Sequence, residues 1–250
     1  MPPTLILVRH AQAEHNATKN FYIPDPDLTE EGHAQCADLR KSLMENPLVQ
    51  QAELIITSPI RRVVQTALRS ADWLLEKGIK IEADASWQEN SPKPCDTGTP
   101  VDKLVHEFPN VDFSKVDPIF PDKTSPAASH YHFTRTALIA RAQAALKRLY
   151  ERPEKVIMVY SHSAFLRLAV SGYWYFNADY RIFDFASMDG PRDSYRLKQH
   201  ESTRESGGGL GRSWIDPIVL GSELPDEEPA VEGDGSGSGS GDGNGNERDY

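Results

Sequence analysis

Long hydrophobic runs and cysteines are scarce in this 250-residue chain. No stretch approaches the roughly 20 apolar residues of a membrane span, and no basic segment followed by an apolar core begins the chain. The two cysteines, Cys36 and Cys95, follow no metal-ligand spacing. This argues against a disulfide scaffold or a zinc site and fits a reducing compartment. We therefore expect a soluble protein of the cytoplasm or the nucleus, with no membrane partner.

Apolar residues make up only 38% of the chain, a low share for a wholly globular protein. Residues 222–250 carry nine acidic residues and one basic residue, and glycine alternates with serine, aspartate or asparagine from 233 to 245. This composition cannot bury enough apolar surface to fold, so a disordered acidic tail is predicted over 222–250. The other 221 residues hold 26 basic and 28 acidic residues, enough chain for one catalytic domain of near-balanced charge over 1–221.

Short apolar runs alternate with amphipathic segments along residues 1–221. Residues 4–8, 54–57 and 155–160 predict strands that are buried on both faces of a parallel sheet. Residues 79–83, 181–186 and 194–197 predict further strands. Helices are predicted from the Thr29 cap to about Glu45, from Ser58-Pro59 onward, and over 134–151. The pattern favours an α/β fold with a mostly parallel sheet.

Residues 90–133, called the lid below, contain seven prolines and little periodicity. We expect an irregular excursion over the sheet, because long loops in compact domains are usually functional or disordered. Lys93, Lys103 and Lys123 fit either recruitment of a phosphorylated substrate or an ordinary surface. His130 and His132 fit a solvated turn better than a metal pair.

Cationic and imidazole groups follow three of the predicted strands. Arg9-His10 ends the first, Arg61 lies one helical turn past the second, and His162 follows the third. Ligands bind beyond the carboxyl ends of strands in open α/β sheets. Two arginines and two histidines share one use there, which is to hold a tetrahedral dianion such as a phosphoryl group. No phosphate-binding Walker loop is present, and the arginines supply the positive charge without a metal.

From Thr4 to Leu197 the sequence resembles the histidine phosphatase superfamily, which includes the cofactor-dependent phosphoglycerate mutases. The resemblance implies a three-layer α/β/α sandwich like that of phosphoglycerate mutase. It is carried by five segments: Arg9-His10-Ala11 with Asn16 downstream, the Leu-Thr-x-x-Gly-x-x-Gln helix start over 28–35, Ser58-Pro-Ile-Arg-Arg-Val-Val-Gln-Thr66, Trp87-Gln-Glu89, and Tyr160-Ser-His162.

The resemblance also implies roles. His10 is the nucleophile that becomes a phosphohistidine, and Glu89 is the proton donor, with Asp84 and Asp96 as rival acids. The expected phosphate-binding residues are Arg9, Asn16, Arg61 and His162. Arg61 is chosen over Arg62 because it falls earlier on the first helical turn, and Arg62 is assigned a structural role.

Two departures from the family pattern bear on activity. Ala11 replaces the usual glycine, which is harmless if the backbone there has a negative φ. Residues 90–98 lack the arginine-rich segment with which mutases hold a phosphorylated acid. We therefore predict a metal-independent phosphatase that uses no cofactor, acts on a small phosphorylated substrate and binds no nucleic acid. The alternatives are a phosphoglycerate-type mutase and a non-enzymatic interaction module, and the oligomeric state stays open.

Overall fold

The computed structural model describes residues 1–186 and 194–227, and a seven-stranded sheet forms their centre. The strand order is β4-β3-β2-β5-β1-β6-β7. Strands β1 to β5 pair parallel with one another, and β6 pairs antiparallel with both β1 and β7. The strands are β1 (Thr4–Arg9), β2 (Leu54–Thr57), β3 (Ile81–Ala83), β4 (Val111–Asp112), β5 (Val156–Ser161), β6 (Tyr180–Phe185) and β7 (Leu197–Gln199).

Eight helices connect and cover these strands in the described part of the chain. Thr29 and Thr134 cap two of them, because each side chain accepts a hydrogen bond from an amide of the first turn. A π-helical turn over Leu166–Ser171 continues the seventh helix. The helices are α1 (Glu14–Thr18), α2 (Glu30–Glu45), α3 (Arg61–Ser70), α4 (Asp72–Glu76), α5 (Val101–Glu107), α6 (Arg135–Tyr150), α7 (Ser163–Phe165) and α8 (Glu201–Arg204).

Side chains of β1 alternate between two hydrophobic cores. Ile6 and Val8 pack with residues of α2 and α3 on one face of the sheet. Leu5 and Leu7 pack with residues of α6 and of the π-helical turn on the other face. Successive side chains of a strand point to opposite faces, so an unbroken apolar run needs a helix layer on each side. The predicted three-layer α/β/α fold with a mostly parallel sheet is confirmed.

Two local expectations are wrong. Helix α3 begins at Arg61 with Ile60 as its N-cap, two residues later than the predicted Ser58 cap. The lid is also more regular than expected, since it contains α5 and the edge strand β4. Strand β4 pairs only with β3, in two residue pairs, and so short a strand leaves little sequence periodicity to detect.

The packed chain continues past the predicted boundary at residue 221. Leu224 is buried in the core beside α6, and Arg135 donates to its carbonyl oxygen at 3.2 Å. Glu223 forms an ion pair with Arg167. Composition could not separate these six residues, 222–227, from the acidic stretch that follows. The rest of the predicted tail, 228–250, lies outside the described residues.

No helix in the described ranges is both long and apolar enough to cross a lipid bilayer.

Candidate active site

Neighbouring parallel strands place the two motif histidines side by side. Strand β1 ends at Arg9 and β5 ends at Ser161, and these two residues are register partners. His10 follows the first strand, His162 follows the second, and the His10 amide donates to the Ser161 carbonyl at 3.1 Å. Their ring centroids are 5.2 Å apart, and both residues are buried. The structure thus brings His10 and His162 together at the edge where they were expected.

The guanidinium of Arg62 lies between these rings and decides which ring nitrogens carry protons. Its Nε is 3.2 Å from His10 Nε2, and its Nη2 is 3.1 Å from His162 Nδ1. A guanidinium only donates, so both ring nitrogens accept. His10 Nδ1 is 2.7 Å from the Ala11 carbonyl oxygen and therefore holds the ring proton, while His162 Nε2 donates to Ser58 Oγ at 3.0 Å. The lone pair of His10 is consequently at Nε2.

Both rings are neutral near pH 7. Burial lowers the pKa of His10 well below its usual value, and the positive charges of Arg62 and Arg9 lower it further. The pKa of His162 is lowered for the same two reasons, first burial and then Arg62. A neutral imidazole, which has one unprotonated nitrogen, is the nucleophilic form of histidine.

Arg9 supplies the second buried guanidinium of the predicted set. Its Nη1 donates to the Tyr175 carbonyl at 2.6 Å, and its Cζ lies 5.9 Å from the Trp174 ring centroid. Because Arg9 immediately precedes His10 at the end of β1, the strand itself fixes where its side chain begins.

The expectation that Arg61 joins the histidines is wrong, because its side chain binds acidic residues instead. Its guanidinium forms ion pairs with Asp25, Asp27 and Glu107. Arg62, one position later on α3, is fully buried and occupies the place expected of Arg61. A signal was present: in Ser-Pro-x-x-Arg-x-x-Gln-Thr, counted from Ser58, the arginine falls at Arg62. The argument from the first turn overrode that spacing, and it used a helix start two residues too early.

Glu89 lies against the start of α7, where backbone amides hold its carboxylate. Its Oε1 accepts from the amides of Asn90 at 2.9 Å and Phe165 at 3.0 Å, and its Oε2 accepts from Ala164 at 3.3 Å. Burial raises the pKa of Glu89, and the negative charge of Asp96 raises it further. Such a carboxyl retains its proton to higher pH than an exposed glutamate does.

Of the two rival acids, only Asp96 reaches the histidine–arginine cluster. It accepts from Arg62 Nη2 at 2.9 Å and from Ser91 Oγ at 2.6 Å. Burial acts to raise the pKa of Asp96, but Arg62, Lys123 and the Ser91 hydrogen bond outweigh it and hold the pKa below its usual value. Asp84 instead caps a 3₁₀ turn and pairs with Arg148. Glu89 and Asp96 therefore have pKa values shifted in opposite directions.

Asn16 and an unexpected neighbour, His15, lie on α1 directly after the Arg-His motif. The Asn16 amide oxygen accepts from the Ala13 amide at 3.1 Å, and its Nδ2 is 3.1 Å from His15 Nε2. His15 is only 5% exposed, and its ring centroid is 6.0 Å from that of His10. The sequence analysis passed over His15, although it directly precedes Asn16, which was assigned to the site.

Two further buried basic residues, Lys123 and Arg141, bind the backbone around Glu89. The sequence analysis assigned neither of them a place in the site. Lys123 is 3% exposed and donates to the carbonyl oxygens of Glu89, Ser91 and Asp96 at 2.8, 3.0 and 2.6 Å. Arg141 on α6 donates to the Gln88 carbonyl and to Asn90 Oδ1, both at 3.0 Å. The sequence analysis weighed Lys123 as a lid residue that recruits a phosphorylated substrate or as an ordinary surface lysine, and not as a buried one. Its burial comes from the path of the lid, which the sequence pattern does not reveal.

Ala11, which replaces the glycine of the family pattern, fits the local backbone and packing. It is fully buried, its φ is not in the positive range, and its amide donates to Thr66 Oγ1 at 3.0 Å. A methyl group therefore meets no backbone strain here.

The site combines neutral imidazoles, two guanidinium groups and a carboxyl group with a raised pKa. These parts suit attack on a dianionic phosphoryl group, whose charge the guanidiniums can balance. Within the described ranges, no group of three or more histidine, cysteine or acidic side chains has the arrangement to hold a metal ion. His130 and His132 face different partners, Asp117 and the Ser125 carbonyl.

Sequence comparison relates this chain to known proteins. Residues 5–184 match the sequence profile of the histidine phosphatase superfamily (branch 1). A probable phosphatase of Schizosaccharomyces pombe is 29% identical over 170 residues, which cover 66% of this chain and 76% of that protein. Phosphoglycerate mutase-like protein 1 of Arabidopsis thaliana is 29% identical over 197 residues, covering 65% and 69% of the two chains.

The fold likeness extends to solved structures. The structure of a proposed α-ribazole-5′-phosphate phosphatase of Escherichia coli aligns with 79% of this chain and 96% of its own, with a TM-score of 0.52 and 16% identity.

Proposed function

Because this chain belongs to the histidine phosphatase superfamily (branch 1), we propose that it hydrolyses a small phosphomonoester through a covalent phosphohistidine on His10. The observation that carries the proposal is the state of the His10 ring. It is neutral, its proton is on Nδ1, and its Nε2 lone pair faces the Arg62 guanidinium at 3.2 Å. A phosphoryl group that accepts this Arg62 hydrogen bond in place of His10 would free the Nε2 lone pair and lie beside it for attack.

In the first half-reaction, His10 Nε2 attacks phosphorus while the bond from phosphorus to the leaving oxygen breaks. Arg9 and Arg62 balance the charge of the phosphoryl oxygens, with Asn16 as a further predicted ligand. A dianion beside His162 would raise the pKa of that imidazole and so give it a second N–H for the phosphoryl group. The positive charge needed for catalysis thus comes from the chain itself, in line with a metal-independent mechanism.

Glu89 gives its proton to the leaving alkoxide. Two short amide hydrogen bonds occupy Oε1, whereas Oε2 has only the 3.3 Å contact, so the proton belongs on Oε2. In the second half-reaction, the Glu89 carboxylate takes a proton from water. The water oxygen then attacks phosphorus, and the bond to His10 Nε2 breaks to release phosphate. Asp96 does not fill this role, because its lowered pKa keeps it ionised.

The lid favours hydrolysis over the mutase alternative. Residues 90–98 contribute the Asp96 carboxylate to Arg62 and contain no arginine. A second acidic group of a substrate would be repelled at that point, whereas a mutase must hold a phosphorylated acid there. Retention of both a neutral His10 imidazole and a protonatable Glu89 also favours an enzyme over a purely interacting module.

The test is hydrolysis of p-nitrophenyl phosphate between about pH 5 and 8 in EDTA, by the unaltered protein and by His10→Ala. We expect turnover that EDTA leaves intact and that His10→Ala abolishes, together with an acid-labile phosphoenzyme in the unaltered protein alone. Turnover that survives in His10→Ala would sink the mechanism. If neither this ester nor a panel of small phosphate esters is hydrolysed, the interaction-module hypothesis takes its place.

A further inference from the structure

His15 is a buried imidazole at the active site for which the mechanism above has no use. It lies in the first turn of α1, and its ring pairs with His10 at 6.0 Å and with the partly exposed Phe21 at 6.4 Å between centroids. Arg62, Asp96 and Arg9 all influence its pKa, so His15 lies in the same charged surroundings as the nucleophile.

The hydrogen bonds of α1 settle which nitrogen of His15 carries the proton. The Ala13 amide can only donate, so the atom of Asn16 that accepts from it at 3.1 Å is the amide oxygen. The other terminal atom of Asn16 is then the NH₂ group, and it donates to His15 Nε2 at 3.1 Å. Because Nε2 accepts, the ring proton must lie on Nδ1.

The resulting Nδ1–H group has no hydrogen-bond partner among the described residues, although it is buried. Burial first, and then the charge of Arg62, lower the pKa of His15 to about 3. The ring is therefore neutral at pH 7 and cannot serve as an acid or a base there. What it can do is donate one hydrogen bond from Nδ1, and a buried donor without an acceptor is uncommon in folded proteins.

We propose that His15 is a further phosphate-binding residue, whose Nδ1–H donates to a non-bridging oxygen of the phosphoryl group held at His10. The proposal rests on the proposed function for the location of the phosphoryl group. It also changes the part assigned to Asn16, whose NH₂ group holds His15 in the required tautomer. A neutral donor suits this place, because Arg9 and Arg62 already supply two positive charges and a third cation would be costly to bury.

The test measures binding of inorganic phosphate by calorimetry, which needs no turnover. His15→Phe keeps an aromatic ring beside Phe21 but removes the donor. His15→Asn keeps an N–H close to the former Nδ1 position. His106→Phe, on the exposed face of α5, is the matched control for a histidine-to-phenylalanine change.

We expect His15→Phe to weaken phosphate binding roughly tenfold to a hundredfold, the loss typical of a hydrogen bond to a charged group. His15→Asn should recover part of that loss, and His106→Phe should bind like the unaltered protein. An imidazole ¹⁵N–¹H spectrum should show the Nδ1–H tautomer of His15, with its proton resonance moving downfield when phosphate binds.

Equal phosphate affinity in His15→Phe and the unaltered protein would overturn the proposal, even if His10-dependent hydrolysis is established. An Nε2–H tautomer of His15 would overturn it as well. Weakened phosphate binding in His15→Phe, in a protein that hydrolyses no ester, would support the His15 site while the proposed function fails. Absence of phosphate binding in the unaltered protein would overturn both. Thermal denaturation of each variant separates lost binding from lost folding.

Discussion

The ends of β1 and β5 form one region of the candidate active site, and the lid forms another. The two regions are held in place in different ways. At the strand ends the backbone does the positioning, since the His10 amide donates to Ser161 and its carbonyl accepts from Ala178. In the lid a single buried ammonium, that of Lys123, joins the carbonyls of Glu89, Ser91 and Asp96. Sheet register is therefore enough to place His10, whereas the positions of Glu89 and Asp96 depend on a buried charge.

The two regions also differ in how their charges respond to pH. The strand ends carry histidines that burial keeps neutral, so their geometry should vary little with pH. Burial lowers the pKa of Lys123 to about 7, and this residue titrates in the range where an enzyme operates. We expect changes at the strand ends to affect the rate at every pH, and changes in the lid to alter the pH dependence.

The largest expected effect comes from replacing Arg62, and its neighbour on α3, Arg61, provides the comparison. Arg62→Met should lower kcat/KM by roughly a thousandfold, because it removes the buried charge between the two histidines. Arg61→Met, the matched control, should change kcat/KM by no more than about threefold, because partly exposed ion pairs contribute little. Steady-state kinetics on one ester suffice. Equal losses in both variants would mean that the geometry does not distinguish the two arginines.

Substitution of the two acids should separate their roles. Glu89→Gln should lower kcat/KM, which reports the first half-reaction, by about a hundredfold or more for an alkyl phosphate, because no proton reaches the leaving alkoxide. The loss in kcat/KM should be much smaller for p-nitrophenyl phosphate, whose leaving group needs no proton, whereas kcat should fall for both esters because hydrolysis of the phosphoenzyme needs the Glu89 carboxylate as base.

Asp96→Asn should instead shift the pH profile. Removing this negative charge lowers the pKa of Glu89, which burial and Asp96 together raise. Glu89 then loses its proton at lower pH, so the descending limb of kcat should move toward acid. If Asp96→Asn shows the leaving-group dependence expected of Glu89→Gln, the assignment of the two acids is reversed.

Lys123→Met tests the buried charge of the lid through stability. In the unfolded chain this lysine titrates near its ordinary value of 10.5, and in the folded chain near 7. Between these values the unfolded state binds more protons, so the stability of the unaltered protein rises with pH. Lys123→Met lacks this gain. Its deficit in free energy of unfolding, measured by urea titration, should therefore grow from about pH 7 to pH 10. A deficit that does not vary with pH would show that the lysine is not held with a lowered pKa.

The smallest effect is expected at Ala11. Ala11→Gly should destabilise the fold by no more than about 1 kcal/mol, because glycine loses more backbone entropy on folding. Since the backbone of Ala11 needs no positive φ, kcat/KM should stay within about twofold. Thermal unfolding and kinetics on one ester measure both. A large gain in rate would mean that the methyl group obstructs the phosphoryl site.

Much of the site was predictable because it follows strands whose apolar pattern is unmistakable. Arg9, His10 and His162 each lie at the end of a buried run, and the parallel pairing of β1 with β5 brings them together. Arg62 was missed by a single position, since the start of α3 decides which of two adjacent side chains points into the pocket. A helix turns by about 100° per residue, so an error in its start redirects every side chain.

The sequence by itself determined the α/β class, the three strand ends and the superfamily to which the chain belongs, because period and motif spacing are local properties. Only the tertiary structure decided that Lys123 is buried against the Glu89 carbonyl, that Asp96 reaches Arg62 while Asp84 does not, and that Leu224 packs in the core. These contacts join residues far apart in the chain. Burial and charge at such a contact depend on all the segments that surround it, and no window of sequence contains them together.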